Sequence, residues 1–100
     1  MTYIDKYLAD IKRLCALYNV RELYVFGSGM STQLTEKSDI DFIVDFDAID
    51  LKLYADNYFN FKFSLQQILK PPVDLIEQKA IKNPYFKQAV NKTRKLVYGH

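Results

Sequence analysis

The run from Asp39 to Asp47 constrains this chain more than any other segment. Ile40, Phe42, Val44 and Phe46 alternate strictly with Asp39, Asp41, Ile43, Asp45 and Asp47. A period of two is that of a β-strand, whose successive side chains point to opposite faces. One face is apolar and looks to a core; the other is lined with carboxylates. Aspartate is a poor strand former, and like charges close together on one face repel. A strand that opens on Ser38-Asp39-Ile40-Asp41 therefore carries a local cost, which a bound cation offsets. Hard oxygen donors suit Mg²⁺, which is commonly held by one or two carboxylates together with substrate phosphates. Asp45 and Asp47 lie beyond the strand start and read as a solvated edge. A calcium loop of the EF-hand type does not fit, because Val44 stands where such a loop needs glycine.

The remaining elements follow from periodicity and punctuation. Thr2 to Tyr18 reads as a helix, with Ile4, Leu8, Ile11, Leu14 and Tyr18 at helical spacing and Asn19 as a left-handed stop. Leu23 to Phe26 reads as a short buried strand. Gln33 to Ser38 is a polar connection. Leu51 to Leu69 carries a helical stripe of Leu51, Tyr54, Tyr58, Phe61, Leu65, Ile68 and Leu69, which Asp56 or Asn57 could divide. Leu53, Phe59 and Phe63 fall off that stripe, as a partner surface would require. Pro71 and Pro72 end the helix. Val73 to Ile76 is a third strand. Asn83-Pro84 starts a last helix, with Phe86, Val90, Thr93 and Val97 as its buried face and Gly99 as its stop. Helices and strands in this order imply an α/β or α+β fold, a small sheet covered by helices. The length supports one core, so residues 1–100 are expected to form a single domain.

Two further elements join the first pair of acids. Val73-Asp74-Leu75-Ile76 places a carboxylate at the start of another strand; if the two strands pair, Asp74 meets Asp39 and Asp41. Three carboxylates could hold two metal ions, one activating a hydroxyl and one steadying leaving phosphates. Phe26-Gly27-Ser28-Gly29 follows the first strand, and glycines let backbone N–H groups approach a phosphate closely. Alone, Gly-Ser-Gly is a weak signal, and Asp39 and Asp41 alone would read as a solvated strand face. The order of all three elements is the informative feature.

Together Leu23-Tyr24-Val25-Phe26-Gly27-Ser28, Ser38-Asp39-Ile40-Asp41-Phe42-Ile43-Val44, Val73-Asp74-Leu75-Ile76 and Asn83-Pro84-Tyr85-Phe86 resemble the minimal nucleotidyltransferases of the DNA polymerase β superfamily. The resemblance implies a mixed sheet flanked by helices. It also implies Mg²⁺-dependent transfer of an adenylyl group from ATP, with pyrophosphate leaving. Carried across residue by residue, Gly27 and Ser28 would hold the triphosphate. Asp39 and Asp41 would bind the metals, and Asp74 would hold the catalytic metal and orient or deprotonate the acceptor hydroxyl. The family further implies a helical HEPN-type partner, a toxin whose tyrosine is adenylylated by its antitoxin. One departure stands out: Gly29-Met30-Ser31-Thr32 follows Ser28 where many relatives carry basic residues. It keeps a second reading open, a module of this fold that neutralises its partner by binding alone.

Composition agrees with a globular protein: 49% of residues are hydrophobic and 26% charged. The single cysteine, Cys15, excludes an intrachain disulfide and a cysteine-based zinc site, and its helical phase makes it a buried structural thiol. No apolar run is long enough to span a bilayer and no signal peptide is recognisable, so a cytoplasmic protein is expected. Charge is unevenly spread. Glu36, Asp39, Asp41, Asp45, Asp47 and Asp50 crowd the centre, whereas Lys79, Lys82, Lys87, Lys92, Arg94 and Lys95 follow Glu77 with no acid among them. The basic tail is the only hint of nucleic acid, and it reads first as the solvated face of the last helix.

Overall fold

The computed structural model describes residues 3–26 and 39–99. Gly27, Ser28 and the polar connection Gln33 to Ser38 lie outside the described residues, as do Thr2 and the side chain of Thr93. A 3-10 turn at Tyr3–Tyr7 leads into α1, Leu8–Leu17. The expected first helix is thus divided at Tyr7, its opening turn wound more tightly, as helix N-termini often are. Asn19 ends the segment at φ 61°, the left-handed stop its side chain tolerates. The chain then forms β1 (Val20–Phe26), β2 (Ile40–Phe46), α2 (Leu51–Ile68), β3 (Val73–Glu77), α3 (Pro84–Thr93) and β4 (Lys95–Tyr98).

The four strands make one mixed sheet in the order β3-β2-β1-β4. β1 runs antiparallel to β2 and β4, while β2 and β3 are parallel. The parallel pair follows from α2, a crossover helix long enough to return the chain to the same end of the sheet. Asp50 caps α2 by accepting from Lys52 N at 3.0 Å, and the helix runs through Asp56 and Asn57 without a break. Its buried face is Phe61 and Leu65, both fully buried, with Tyr54, Tyr58 and Ile68 half-buried beside them. Leu51 does not join them. It is the first residue of the helix and is 88% exposed.

α1 and α2 cover one face. There Ile4, Ile11, Cys15, Leu23, Val25, Ile40, Phe42, Val44, Phe46, Phe61, Leu65 and Val97 form the core. Phe46 sits among rings, 5.6 Å from Tyr54 and 5.9 Å from Phe61 in edge-to-face contact. Phe61→Ala would cost about 3–5 kcal/mol. The Cys15 thiol is fully buried, and burial pushes its pKa up to about 12. It is an inert structural thiol, as its helical phase predicts.

The second face departs from expectation. Asp45 and Asp47 were expected on a solvated edge, yet Asp45 is 5% exposed, and Ile43 on the same face is fully buried. β2 is a central strand, with Tyr24 of β1 and Ile76 of β3 flanking Ile43 in register. On the same face of the neighbouring β1, Phe86 of α3 meets Phe26 at 6.2 Å and the Arg94 guanidinium stacks 4.0 Å over the Tyr24 ring. α3 is capped by Asn83, which accepts from Tyr85 N and Phe86 N. It ends at Thr93, four residues before the predicted Val97. The segment Lys95–Tyr98 instead pairs with β1 as an edge strand. Val97 lies at helical spacing from Val90, so a helical continuation and a four-residue strand predict the same burial. Gly99 therefore closes a strand rather than a helix. It adopts φ 106°, and a Cβ there would stand 2.5 Å from the Arg21 carbonyl oxygen.

Candidate active site at the head of β2 and β3

β2 and β3 begin at the same end of the sheet, and local chemistry holds their starts together. Pro71 and Pro72 offer carbonyls but no N–H groups, so both oxygens need donors from elsewhere. Gln66 Nε2 donates to Pro71 O at 2.8 Å and to Leu69 O at 3.1 Å, and Ile40 N donates to Pro72 O at 2.8 Å. The Gln66 carbonyl accepts from Val73 N at 2.8 Å. One side-chain amide thus ties the end of α2 to the first residue of β3. Sequence reasoning missed this role of Gln66, although two prolines in a row signal carbonyls in want of donors.

The register that results places Asp41 opposite Asp74. Adjacent strands lie roughly 5 Å apart, and directly paired residues project to the same side. The neighbouring positions Val73 and Leu75 enter the core, so Asp74 points to the opposite face, beside Asp41. Asp41 is half-buried; Asp39 and Asp74 are exposed. On the other side of Asp41, β1 contributes Phe26 in register, its ring backed by Phe86. Burial raises the Asp41 carboxyl above its ordinary pKa, and the charges of Asp74 and then Asp39 push it further the same way. Asp41 thus feels both other acids. Among the described residues, no three His, Cys, Asp or Glu side chains are gathered tightly enough to hold a metal ion between them. The described arrangement is an in-register pair, Asp41 and Asp74, with Asp39 near enough to act on Asp41. Gly27 and Ser28, expected beside it, lie outside the described residues.

Asp45 stands apart from this group. It projects on the same face as Asp41 but accepts from Arg21, with Nε at 3.0 Å and the guanidinium terminus closer still. Arg21 is the extra residue where the β1–β2 register shifts between Val20 and Glu22, which explains why strand spacing alone does not reveal the pair. Asp47 is exposed, as expected of a solvated edge. At that far end Tyr54 donates to Glu77 at 2.5 Å, and burial, then that hydrogen bond and the Glu77 charge, raise its phenol above its ordinary pKa.

A sheet of this topology, with carboxylates at the heads of a parallel pair, is the framework of the nucleotidyl-transferring polymerase β enzymes. The chain belongs to that family: the profile described as "Polymerase beta, Nucleotidyltransferase" matches residues 9–100. It is similar to a Methanocaldococcus jannaschii protein provisionally named a protein adenylyltransferase, at 38% identity over 73% of this chain and 72% of that one. It is also similar to the protein adenylyltransferase MntA of Thermococcus cleftensis, at 32% identity over 90% of this chain and 85% of that one. Among solved structures, the fold is shared with a complex of a tri-AMPylated Shewanella oneidensis HEPN toxin and its MNT antitoxin. That match has a TM-score of 0.61 and 19% identity, and covers 96% of this chain and 72% of the other. The chain is thus of the minimal nucleotidyltransferase type. Among the described residues, no helix is long and apolar enough to cross a membrane.

Proposed function

We propose that this chain is a Mg²⁺-dependent adenylyltransferase that moves AMP from ATP to a tyrosine hydroxyl of a HEPN-type helical partner, as the cytoplasmic antitoxin of a toxin–antitoxin pair. The observation that carries the reading is the Asp41–Asp74 register, with the Asp41 carboxyl raised by its acidic neighbours. Two acids held side by side, with a third whose charge acts on one of them, match a site whose cation comes with the substrate. The donors are hard oxygens, which fit Mg²⁺. The names of the M. jannaschii and T. cleftensis relatives support adenylyl transfer to protein, and the S. oneidensis complex supports a HEPN partner.

In this reading Asp39, Asp41 and Asp74 would hold the metal ions, and Asp74 would also face the acceptor. When bound, the metal supplies charge neutralisation of the triphosphate. The phenolic oxygen forms a bond to the α-phosphorus of ATP, the bond from that phosphorus to the β-phosphate's bridging oxygen breaks, and pyrophosphate departs. Asp74 orients the phenol and accepts its proton. Gly27 and Ser28 would hold the triphosphate, since glycine lets backbone N–H groups approach a phosphate and serine adds a hydroxyl donor. Most of the rate gain comes from positioning and charge neutralisation.

The test is incubation with ATP, Mg²⁺ and a HEPN-type protein from the same organism, read by intact and peptide mass spectrometry. An adenylyl mass on a partner tyrosine is expected. Neutralisation of the toxin with no adenylyl mass under Mg²⁺ or Mn²⁺ overturns catalysis. It would leave the module that acts by binding alone, a reading favoured by the absence of any basic residue between Ser28 and Lys37.

A further inference from the structure

β3 is an edge strand, with β2 as its only strand neighbour among the described residues. Alternate backbone groups of such a strand face away from the sheet and need partners from elsewhere. At the head of β3 those partners come from α2. The Gln66 side-chain carbonyl accepts from Val73 N at 2.8 Å, and the Tyr58 hydroxyl donates to Leu75 O at 2.5 Å. The two bonds bracket Asp74, one residue to either side. Ile40 N, donating to Pro72 O, and the pairing of Asp41 with Asp74 hold the inner side of the same stretch.

Packing alone does not set the level of Asp74. Val73 and Leu75 enter the core, but apolar contact is non-directional and tolerates a small slide along the strand axis. Pro71 and Pro72 bring no N–H groups to lock the turn into β3. Gln66 fills that gap with three directional bonds from one amide, to Leu69 O, Pro71 O and Val73 N. The Asp74 side chain is exposed on the face away from α2. α2 therefore acts on it through the backbone.

We propose that Gln66, assisted by Tyr58, is a positioning residue for Asp74: from the opposite face of the sheet it sets the level of that carboxylate against Asp41. Neither side chain touches substrate or metal. The inference rests on the adenylyl-transfer reading, in which Asp74 is a metal ligand and receives the acceptor's proton. Misplacing a reacting group by about 1 Å can cost roughly a hundredfold in rate. Losing the hydrogen bonds that hold a ligand in place typically costs about 10–100-fold in metal affinity or activity.

The experiment uses Gln66→Leu, which keeps the bulk and removes all three bonds. Tyr58→Phe removes one hydroxyl and keeps the ring beside Phe46. Mn²⁺ affinity is read by electron paramagnetic resonance without ATP or partner, and transfer by steady-state kinetics at saturating Mg²⁺. In Gln66→Leu, Mn²⁺ binding is expected to weaken about tenfold and kcat to fall at least as much, with the KM for ATP near its wild-type value. Tyr58→Phe shifts both in the same direction by less. Gln67→Leu, at the next and exposed position of α2, keeps wild-type values. The cycle with Asp74→Asn separates positioning from mere support. With that ligand removed, Gln66→Leu should weaken Mn²⁺ no further, because the amide acts through Asp74. Losses that add in the cycle overturn the proposal, as do Mn²⁺ affinity and kcat left unchanged in folded Gln66→Leu, or a wild type that takes up no Mn²⁺. If Gln66→Leu fails to fold, Tyr58→Phe decides by the same cycle. If the wild type binds Mn²⁺ but transfers nothing, the adenylyl-transfer reading fails, and the Mn²⁺ cycle still decides the role of Gln66.

Discussion

Asp41 and Asp45 sit on the same strand and the same face, four residues apart, yet they live in opposite electrostatic company. Asp45 is the more buried and is clasped by Arg21. Asp41 is only half-buried, and what surrounds it raises its pKa: burial first, then Asp74, then Asp39. The difference teaches how to read an acidic strand. A carboxylate whose counter-charge is built into the fold is structural, because its burial is already compensated. A carboxylate whose charged neighbours among the described residues are other carboxylates is the better candidate to take up a cation. Burial alone would have ranked the two the wrong way round.

The comparison is broken or sharpened first by activity. Asp41→Asn and Asp74→Asn should each reduce adenylyl transfer roughly a thousandfold, a loss typical of removing one preorganised electrostatic group. Asp45→Asn should leave transfer within a fewfold of wild type when protein is compared at equal folded concentration. Mass-spectrometric initial rates decide this, and equal losses at 41 and 45 would erase the distinction.

Stability should divide the pair in the opposite sense. Asp45→Asn leaves a buried amide against a guanidinium that has lost its charge partner, and should cost about 1–2 kcal/mol, modest because Arg21 itself is largely solvated. Asp41→Asn relieves repulsion and should leave the metal-free protein as stable as wild type or more so. Urea unfolding of both variants, without metal, measures the two signs.

A smaller effect is expected of the cation. Mg²⁺ at ten times its dissociation constant should stabilise the wild type by about 1.4 kcal/mol, with ATP and Mg²⁺ together doing more. The shift should vanish in Asp41→Asn and persist in Asp45→Asn. Thermal melts with and without Mg²⁺ read it, and a shift retained in Asp41→Asn would move the cation elsewhere.

The smallest effect is the pH dependence of the metal-free protein. The Asp41 pKa in the fold lies above its ordinary value of 3.8. The folded state therefore holds a proton that the unfolded state has released, and this group's contribution to stability falls as pH rises through that window. Replacing Asp41 by Asn should remove the slope. Comparing wild-type and variant melting temperatures from below pH 4 upward tests the sign; a contribution that grows with pH would mean that Asp41 is paired with a cation.

Much of this was legible in the residues. The period-two run of Ile40 to Phe46 defines β2, the helical stripe of Tyr54, Tyr58, Phe61 and Leu65 defines α2, and Asn83-Pro84 begins α3 where it was expected. Both strand-opening acids of the register pair, Asp41 and Asp74, were marked by type and position, and the exposure of Phe59 and Phe63 by their falling off the apolar stripe. These signals are local. Periodicity, capping and proline punctuation act within a few residues and leave their mark in the sequence itself.

What only the tertiary structure decided depends on partners distant along the chain. Asp45 was read as solvated because its counter-charge, Arg21, lies 24 residues away across an irregular strand pairing. Lys95–Tyr98 was read as helix because an edge strand of four residues has too little pattern of its own and forms only by pairing with β1. The meeting of Asp41 with Asp74 needed the crossover of α2 and the Gln66 clasp at Val73 to bring two strand heads to one level. Local spacing determines which way a side chain points. Which charge it meets there is determined by the neighbouring strand, and only the folded chain supplies that neighbour.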